Sequence, residues 1–308
     1  MMNIMMVGHR GAGKTAFMAG LYTYCGDRAR GYGVTGKYSF DRDRLRQLSK
    51  ELSKGNYPEA TDTSWESFDL TLLHKGEKVL DFKWTDHRGG VLTDYQGDVG
   101  TLNQFLNAVG KADALIVFLD GEKLVKPNDF GVVHLITCIE KALCVKHERV
   151  FPICFVLTKW DLVENRKLPG LKQWDNIFDV VRSRSDVEGM IIKSSIPSDG
   201  CIAPYHCMVF CLAYGIDIYI ARSKERESEA LARQRSHESC SLGEFVGNYL
   251  EDRATKIARF FGGTPAPSDW ELAGVEREIQ AAEVAEQAKL KDLSKRFRRM
   301  FKSWKEEL

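Results

Sequence analysis

Three short runs of this chain hold residues whose types and spacing can do chemistry on a nucleotide. In Gly8-His9-Arg10-Gly11-Ala12-Gly13-Lys14-Thr15 the spacing is G-x-x-x-x-G-K-[ST]. Glycines let successive backbone N–H groups, through Ala12 to Ala16, converge on a β-phosphate; Lys14 brings a point charge and the Thr15 hydroxyl an oxygen ligand for Mg²⁺. The run Thr158-Lys159-Trp160-Asp161 follows the apolar stretch Phe151–Leu157. A carboxylate at Asp161 can accept both the N1–H and the exocyclic amine of guanine, a pair that adenine does not offer. Between them, Asp86-His87-Arg88-Gly89 puts a carboxylate where it can hold Mg²⁺ through a water, and a glycine N–H where it can reach a γ-phosphate. On its own that third run also reads as a strand-ending turn. Together the three predict a guanine nucleotide, GTP or GDP, as ligand.

Such residues need a sheet whose strand ends bring them together. Asn3–Val7 reads as a buried strand feeding the phosphate loop, and Lys14 to about Tyr24 as the helix behind it. Trp65–His74 and Lys78–Thr85 alternate around the turn His74-Lys75-Gly76-Glu77 and predict a hairpin. Ala112–Leu119 and Phe151–Leu157 are continuous apolar runs of the kind buried in parallel sheets, with a helical pattern over about Asp129–Lys146 between them. Cys207–Leu212 reads as a last strand. The outcome is an α/β fold, a mostly parallel six-stranded sheet with helices on both faces. A polar, basic insertion at about 27–57 carries one helix near Arg42–Leu52. Residues 1–221 are expected to form the nucleotide-binding domain and 222–308 a helical extension.

Composition sets the remaining bounds. The 308 residues carry 44 Lys+Arg against 43 Asp+Glu, a net charge of +1, so no global field favours nucleic acid. The eight cysteines show no C-x-x-C pair and read as reduced core thiols; the spacing of Cys201, His206, Cys207 and Cys211 matches no zinc signature. The start of the chain has no basic segment of a secretory signal, and the run Cys207–Ile220 is interrupted by Gly215 and Asp217 and too short to span a bilayer. A cytoplasmic protein is expected.

The ordered set Gly8–Thr15, Asp86–Gly89 and Thr158–Asp161 resembles the Ras-like, translation-factor-related class of P-loop GTPases, over residues 1 to about 221. The insertion and the Asp-x-Arg-Gly-Gly second switch are similar to bacterial GTPases of conflict and phage-defence systems. The resemblance implies a first switch at Gly55-Asn56-Tyr57-Pro58-Glu59-Ala60-Thr61, with Thr61, or its rival Thr63, giving its hydroxyl to Mg²⁺ and its N–H to the γ-phosphate. Metal ligands would then be Thr15, Thr61 and Asp86, and the hydrolytic residues Lys14, Thr61, Arg88 and Gly89. Thr158 stands where the class commonly has Asn, which shortens the tie from the base motif to the phosphate loop. Leu212-Ala213-Tyr214-Gly215 is the nearest match to the turn whose N–H, from Ala213, binds the guanine carbonyl. Gly90 follows the second-switch motif where a glutamine often orients water, so slow intrinsic hydrolysis is expected. An arginine finger from Arg28, Arg30 or Arg42 competes with a solvated helix face.

The tail adds a partner surface. Ser268 with Glu271 forms a capping box for a long final helix. Its apolar residues Leu272, Val275, Ile279, Ala282, Leu290, Leu293, Phe297, Met300 and Trp304 make a narrow seam, with basic residues around the last turns. Packing on the domain, self-association, a protein effector and an anionic membrane are the readings, the membrane being disfavoured. Three functions follow: a GTP-hydrolysing molecular switch, a GTP-binding scaffold with little turnover, and a P-loop kinase or ATPase, against which the base motif argues.

Overall fold

The computed structural model describes residues 1–27, 31–58, 66–86, 103, 107–125, 135–136, 139–140, 143, 149–196, 200–237 and 269–307. A seven-stranded sheet runs through it in the order β2-β3-β4-β1-β5-β6-β7. These strands are β1 (Met2–Gly8), β2 (Tyr32–Gly36), β3 (Glu66–His74), β4 (Glu77–Asp86), β5 (Ala114–Asp120), β6 (Phe151–Thr158) and β7 (Val187–Lys193). From β4 through β7 all neighbours are parallel, whereas β2-β3-β4 is an antiparallel meander. The expected strands at the start, the hairpin and the two apolar runs are all present.

Two strands were not foreseen, and one foreseen strand is a helix. β2 lies inside the insertion, where Tyr32 and Val34 turn inward among glycines, ahead of the helix α2 (Ser39–Ser53). β7 is an edge strand with only Val187 buried, so its apolar run is too short to stand out. Gly189 sits there because a Cβ would fall 2.5 Å from Val181 Cγ1. The run Cys207–Leu212 belongs to the helix Ile202–His237 and is buried all round, every residue at 0% exposure. A helix surrounded by protein loses its polar face and reads like a buried strand.

Helices cover both faces of the sheet. On one face Met5, Val7, Leu115, Val117, Ile153 and Phe155 pack with Leu135, Ile139, Trp174, Ile177 and Val181. On the other, Phe17 of α1 (Lys14–Asp27) meets Phe118 edge-on at 5.1 Å. There too the Cys154 thiol of β6 bonds with Cys207, and a Cβ on Gly215 would strike Met2. Burial pushes the thiols of Cys154, Cys207 and Cys211 up and holds them protonated.

By length and hydropathy Ile202–Glu225 could cross a membrane, and 72% of that window is buried inside the protein, as a core helix is. The chain divides into two compact units, Met1–Tyr219 with Leu293–Leu308, and Ile220–Asp292. Within the first, Phe297 and Phe301 of the last helix (Asp269–Glu307) are buried, with ring contacts to Tyr32 at 5.0 Å and Phe210 at 5.1 Å. That seam is filled by Phe301, one position on from the expected Met300. Lys295, Arg296, Arg299 and Lys302 lie on the outside.

Candidate nucleotide site

The parallel strands end level with one another. Met6 pairs with Asp86, Gly8 with Phe118, Asp120 with Thr158, and Leu157 with Lys193. All three sequence motifs therefore emerge at the carboxyl edge of the sheet, where loops of open α/β sheets gather around ligands.

The phosphate loop bridges β1 and α1. Gly11 and Gly13 have φ of +74° and +83°, the left-handed region that turns successive N–H groups inward. Gly8 is required for a different reason, since a Cβ would lie 2.8 Å from Phe118 Cβ. Ala12 is buried and its N–H donates to the His9 carbonyl at 3.2 Å; Phe17 N–H to Gly13 O, at 2.9 Å, starts the helix past Thr15 and Ala16. Lys14 is 7% exposed and donates to the Gly8 and His9 carbonyls, both at 3.2 Å. Its Nζ stands 3.7 Å from Asp86 Oδ1. Burial lowers the Lys14 pKa, and the Asp86 charge works against that fall. The Thr15 hydroxyl lies 3.5 Å from Asp86 Oδ2. Two hard oxygen donors beside a lysine fit Mg²⁺ and a phosphate group rather than a soft metal.

The base motif is assembled from three strand ends. Thr158 donates through Oγ1 to the Leu119 carbonyl at 3.3 Å, and its methyl lies 3.7 Å from where a Gly13 Cβ would be. The hydroxyl is thus engaged with β5, and it is the methyl that faces Gly13 of the phosphate loop. Lys159 takes left-handed angles, φ 53° and ψ 38°, and opens the turn Trp160–Leu162. Its Nζ reaches Asp120 Oδ2 at 2.9 Å and Glu122 Oε2 at 2.8 Å. Burial works against the Lys159 ammonium, but the hydrogen bonds to Glu122 and Asp120 outweigh it and raise its pKa. Asp161 is exposed, and its N–H donates to Ser195 Oγ at 3.1 Å. Lys193 stacks its ammonium on the Trp160 ring at 4.3 Å.

Ala213 is a correction. It lies inside the helix Ile202–His237, fully buried, and its carbonyl accepts from Ser294 at 2.8 Å and Arg298 at 2.9 Å. A helical N–H in the core cannot be offered to a base. The loop that follows the last strand is Ser194-Ser195-Ile196. Ser194 N–H bonds the Leu157 carbonyl at 2.8 Å, and its own carbonyl accepts Trp160 N–H at 3.1 Å. Sequence reasoning missed it because it missed β7; the Ser-Ser pair itself was the available signal.

The insertion ends against this loop. Tyr57 donates to the Ile196 carbonyl at 2.7 Å, and burial with the nearby Asp161 charge raises its phenol pKa. Arg42 is exposed in the first turn of α2. Thr61 and its rival Thr63, Arg88, Gly89 and Gly90, and Arg28 and Arg30 all lie outside the described residues.

The model of the Double-GTPase 2 family matches residues 3–179, more than half of the chain. The chain belongs to the Double-GTPase 2 family. It is a P-loop GTPase of the conflict and phage-defence type, the class expected from the ordered motifs and the type from the insertion and second switch. The family match takes in the phosphate loop, Asp86 and the base motif, and stops short of Ser194 and Ser195. No curated protein matches the chain.

Proposed function

We propose that the protein binds GTP with Mg²⁺, hydrolyses it slowly to GDP and phosphate, and works as a molecular switch. The observation that carries the reading is the convergence on one sheet edge of a left-handed glycine loop, the Lys14–Thr15–Asp86 cluster and the Thr158–Asp161 turn. Backbone N–H groups of Gly11 to Ala16 bind the phosphates and Lys14 leaves its loop carbonyls to pair with them. Thr15 and Asp86, joined by Thr61, would hold Mg²⁺, which when bound neutralises charge developing on the β- and γ-phosphates. Asp161 reads the guanine edge, and Ser195 fixes the backbone that carries it. Gly89 and Thr61 give N–H contacts to the γ-phosphate, so its loss releases both switch segments. Arg88 is the side chain nearest in sequence that could meet transition-state charge.

Gly90 supplies no water-orienting group, which favours a turnover far below ~1 per second without a partner. It also favours a second reading, a GTP-dependent scaffold with little hydrolysis. A protein effector or a second copy engaging the terminal helix would supply the missing group or read the switch. Cysteine usage supports a cytoplasmic setting. Competition of labelled GTP by ATP, GTP and xanthosine triphosphate tests the base assignment. Single-turnover hydrolysis separates the two readings: a rate indistinguishable from GTP in buffer removes the switch and leaves the scaffold.

A further inference from the structure

Asp120, Gly121 and Glu122 lie at the end of β5, outside every motif that the site was built from. Asp120 is 5% exposed, a buried carboxylate with two partners: Lys159 Nζ at 2.9 Å and the Glu122 N–H at 3.0 Å. Glu122 adds the second carboxylate on Lys159, at 2.8 Å. Gly121 has no room for a side chain, since a Cβ would lie 2.7 Å from the Thr158 carbonyl oxygen and 2.8 Å from Val163 Cγ2. The segment is therefore built tightly under the base motif, and it grips the one side chain there whose backbone is left-handed. Meanwhile Thr158 turns its hydroxyl away, to Leu119, and it is the methyl group that faces Gly13 of the phosphate loop.

We infer that Asp120, helped by Glu122, is the positioning residue of the guanine site: it anchors Lys159 so that the methylene stem forms a fixed wall for the base. In this chain the rigidity that an amide at position 158 would bring by tying the base motif to the phosphate loop comes from the end of β5. The inference rests on the guanine-nucleotide reading above. A buried carboxylate whose ammonium partner is also partly withdrawn from water forms a stronger bond than an exposed ion pair, and it fixes the long lysine side chain in advance of binding. The cost of ordering Lys159 is then met in the folded protein instead of at the moment of binding. Loss of the anchor is expected to show in how fast nucleotide leaves, the quantity that most affinity changes act through.

The test is dissociation of a fluorescent GDP and a fluorescent GTP analogue from the full chain, followed by stopped flow with Mg²⁺ present. Asp120→Asn is expected to raise both dissociation rates by about tenfold or more and by the same factor, because the base and not the γ-phosphate is affected. Glu122→Gln, at a more exposed carboxylate, is expected to act in the same direction by about threefold and guards against a misfolded Asp120 variant. Adding Thr158→Asn to Asp120→Asn is expected to recover most of the loss, since the amide offers the other tie; a residue that merely supports the fold would not be rescued this way. Rates within twofold of the parent in both single variants, or a loss that Thr158→Asn leaves untouched, would overturn the inference. If the unmodified protein holds neither guanine analogue, the guanine reading itself fails, and the two failures are distinct.

Discussion

The phosphate-binding half of the site and its base-reading half share one edge of the sheet but are held differently. Gly8 to Thr15 is contiguous, closed by its own backbone bonds, and shaped by two left-handed glycines. Its charged partner from a distant stretch, Asp86, is delivered by the neighbouring strand. The base-reading half draws on the ends of β5, β6 and β7, and each of its side chains or amides is fixed by a residue far off in sequence: Lys159 by Asp120, Asp161 by Ser195, Trp160 by Ser194. A local loop tolerates change in the rest of the fold. An assembled one depends on the register of three strands. The lesson is that nucleotide binding and base selectivity in this protein are expected to fail separately.

The largest effect separates them first. Lys14→Ala is expected to weaken GTP by ~100-fold or more, about 2.7 kcal/mol, with no recovery of preference for another base. Calorimetry with Mg²⁺ checks it, and an unchanged affinity would remove the phosphate-loop assignment.

Asp161→Asn addresses the other half. The parent protein is expected to prefer GTP over ATP by ~100-fold or more, the worth of two hydrogen bonds to a charged acceptor. The variant should lose most of that preference and gain xanthosine triphosphate, whose C2 carbonyl accepts from the new amide. Equal binding of ATP and GTP by the parent protein would end the guanine reading, while Lys14→Ala would keep its meaning.

Gly121→Ala strikes the packing beneath the base motif. The Cβ has no space against the Thr158 backbone, so a stability loss of ~1–3 kcal/mol is expected from chemical denaturation, with guanine affinity falling in parallel. Tolerance of alanine there would mean that the β5 end can move away from the base loop.

Ser195→Ala sharpens the comparison on a smaller scale. It removes the acceptor of the Asp161 N–H, and a two- to tenfold weakening of guanine nucleotides is expected from a bond worth ~0.5–1.5 kcal/mol. Residual ATP affinity, which depends on the phosphate half alone, should not change.

The smallest effect is in pH. Burial lowers the Lys14 pKa, so the triphosphate affinity that needs its ammonium is present at low pH and declines as pH rises through a value below that of an ordinary lysine. Lys159 goes the other way. Its raised folded value means that the stability from its pair with Glu122 and Asp120 is fully present below the unfolded lysine pKa and is lost only as pH rises through the folded one. Alkaline titration of GTP binding should therefore fail from the phosphate half first; simultaneous loss of base selectivity would contradict the assignment.

Much of this was legible in the residues. The phosphate loop, Asp86 and the Thr158–Asp161 turn all stand at strand ends, because two of them follow apolar runs with little choice but to be buried strands and the third ends an alternating hairpin strand. The last part of the sheet was not legible. Val187–Lys193 is a half-exposed edge strand with a glycine inside it, while Cys207–Leu212 is apolar on every side of a buried helix. Periodicity carries information only when one face is wet, so a run without a wet face reads as a strand and the weak alternation of β7 does not stand out. From that single exchange comes the assignment of Ala213 to the base, whereas the loop that follows the last strand is Ser194-Ser195-Ile196.

What the amino-acid sequence by itself determined is the chemistry at hand: a glycine loop that must turn left-handed, a lysine and a threonine behind it, and a carboxylate suited to guanine. Those follow from residue type and spacing over at most eight positions, where steric limits on the backbone act alone. Only the tertiary structure decided which distant groups complete the site. Asp120 becomes an anchor, Ser195 a brace and Phe301 a buried contact because strand register and helix packing bring together residues from 34 to more than 90 positions apart. Such neighbours are chosen by the burial of the whole sheet, and no short window of sequence contains that sum.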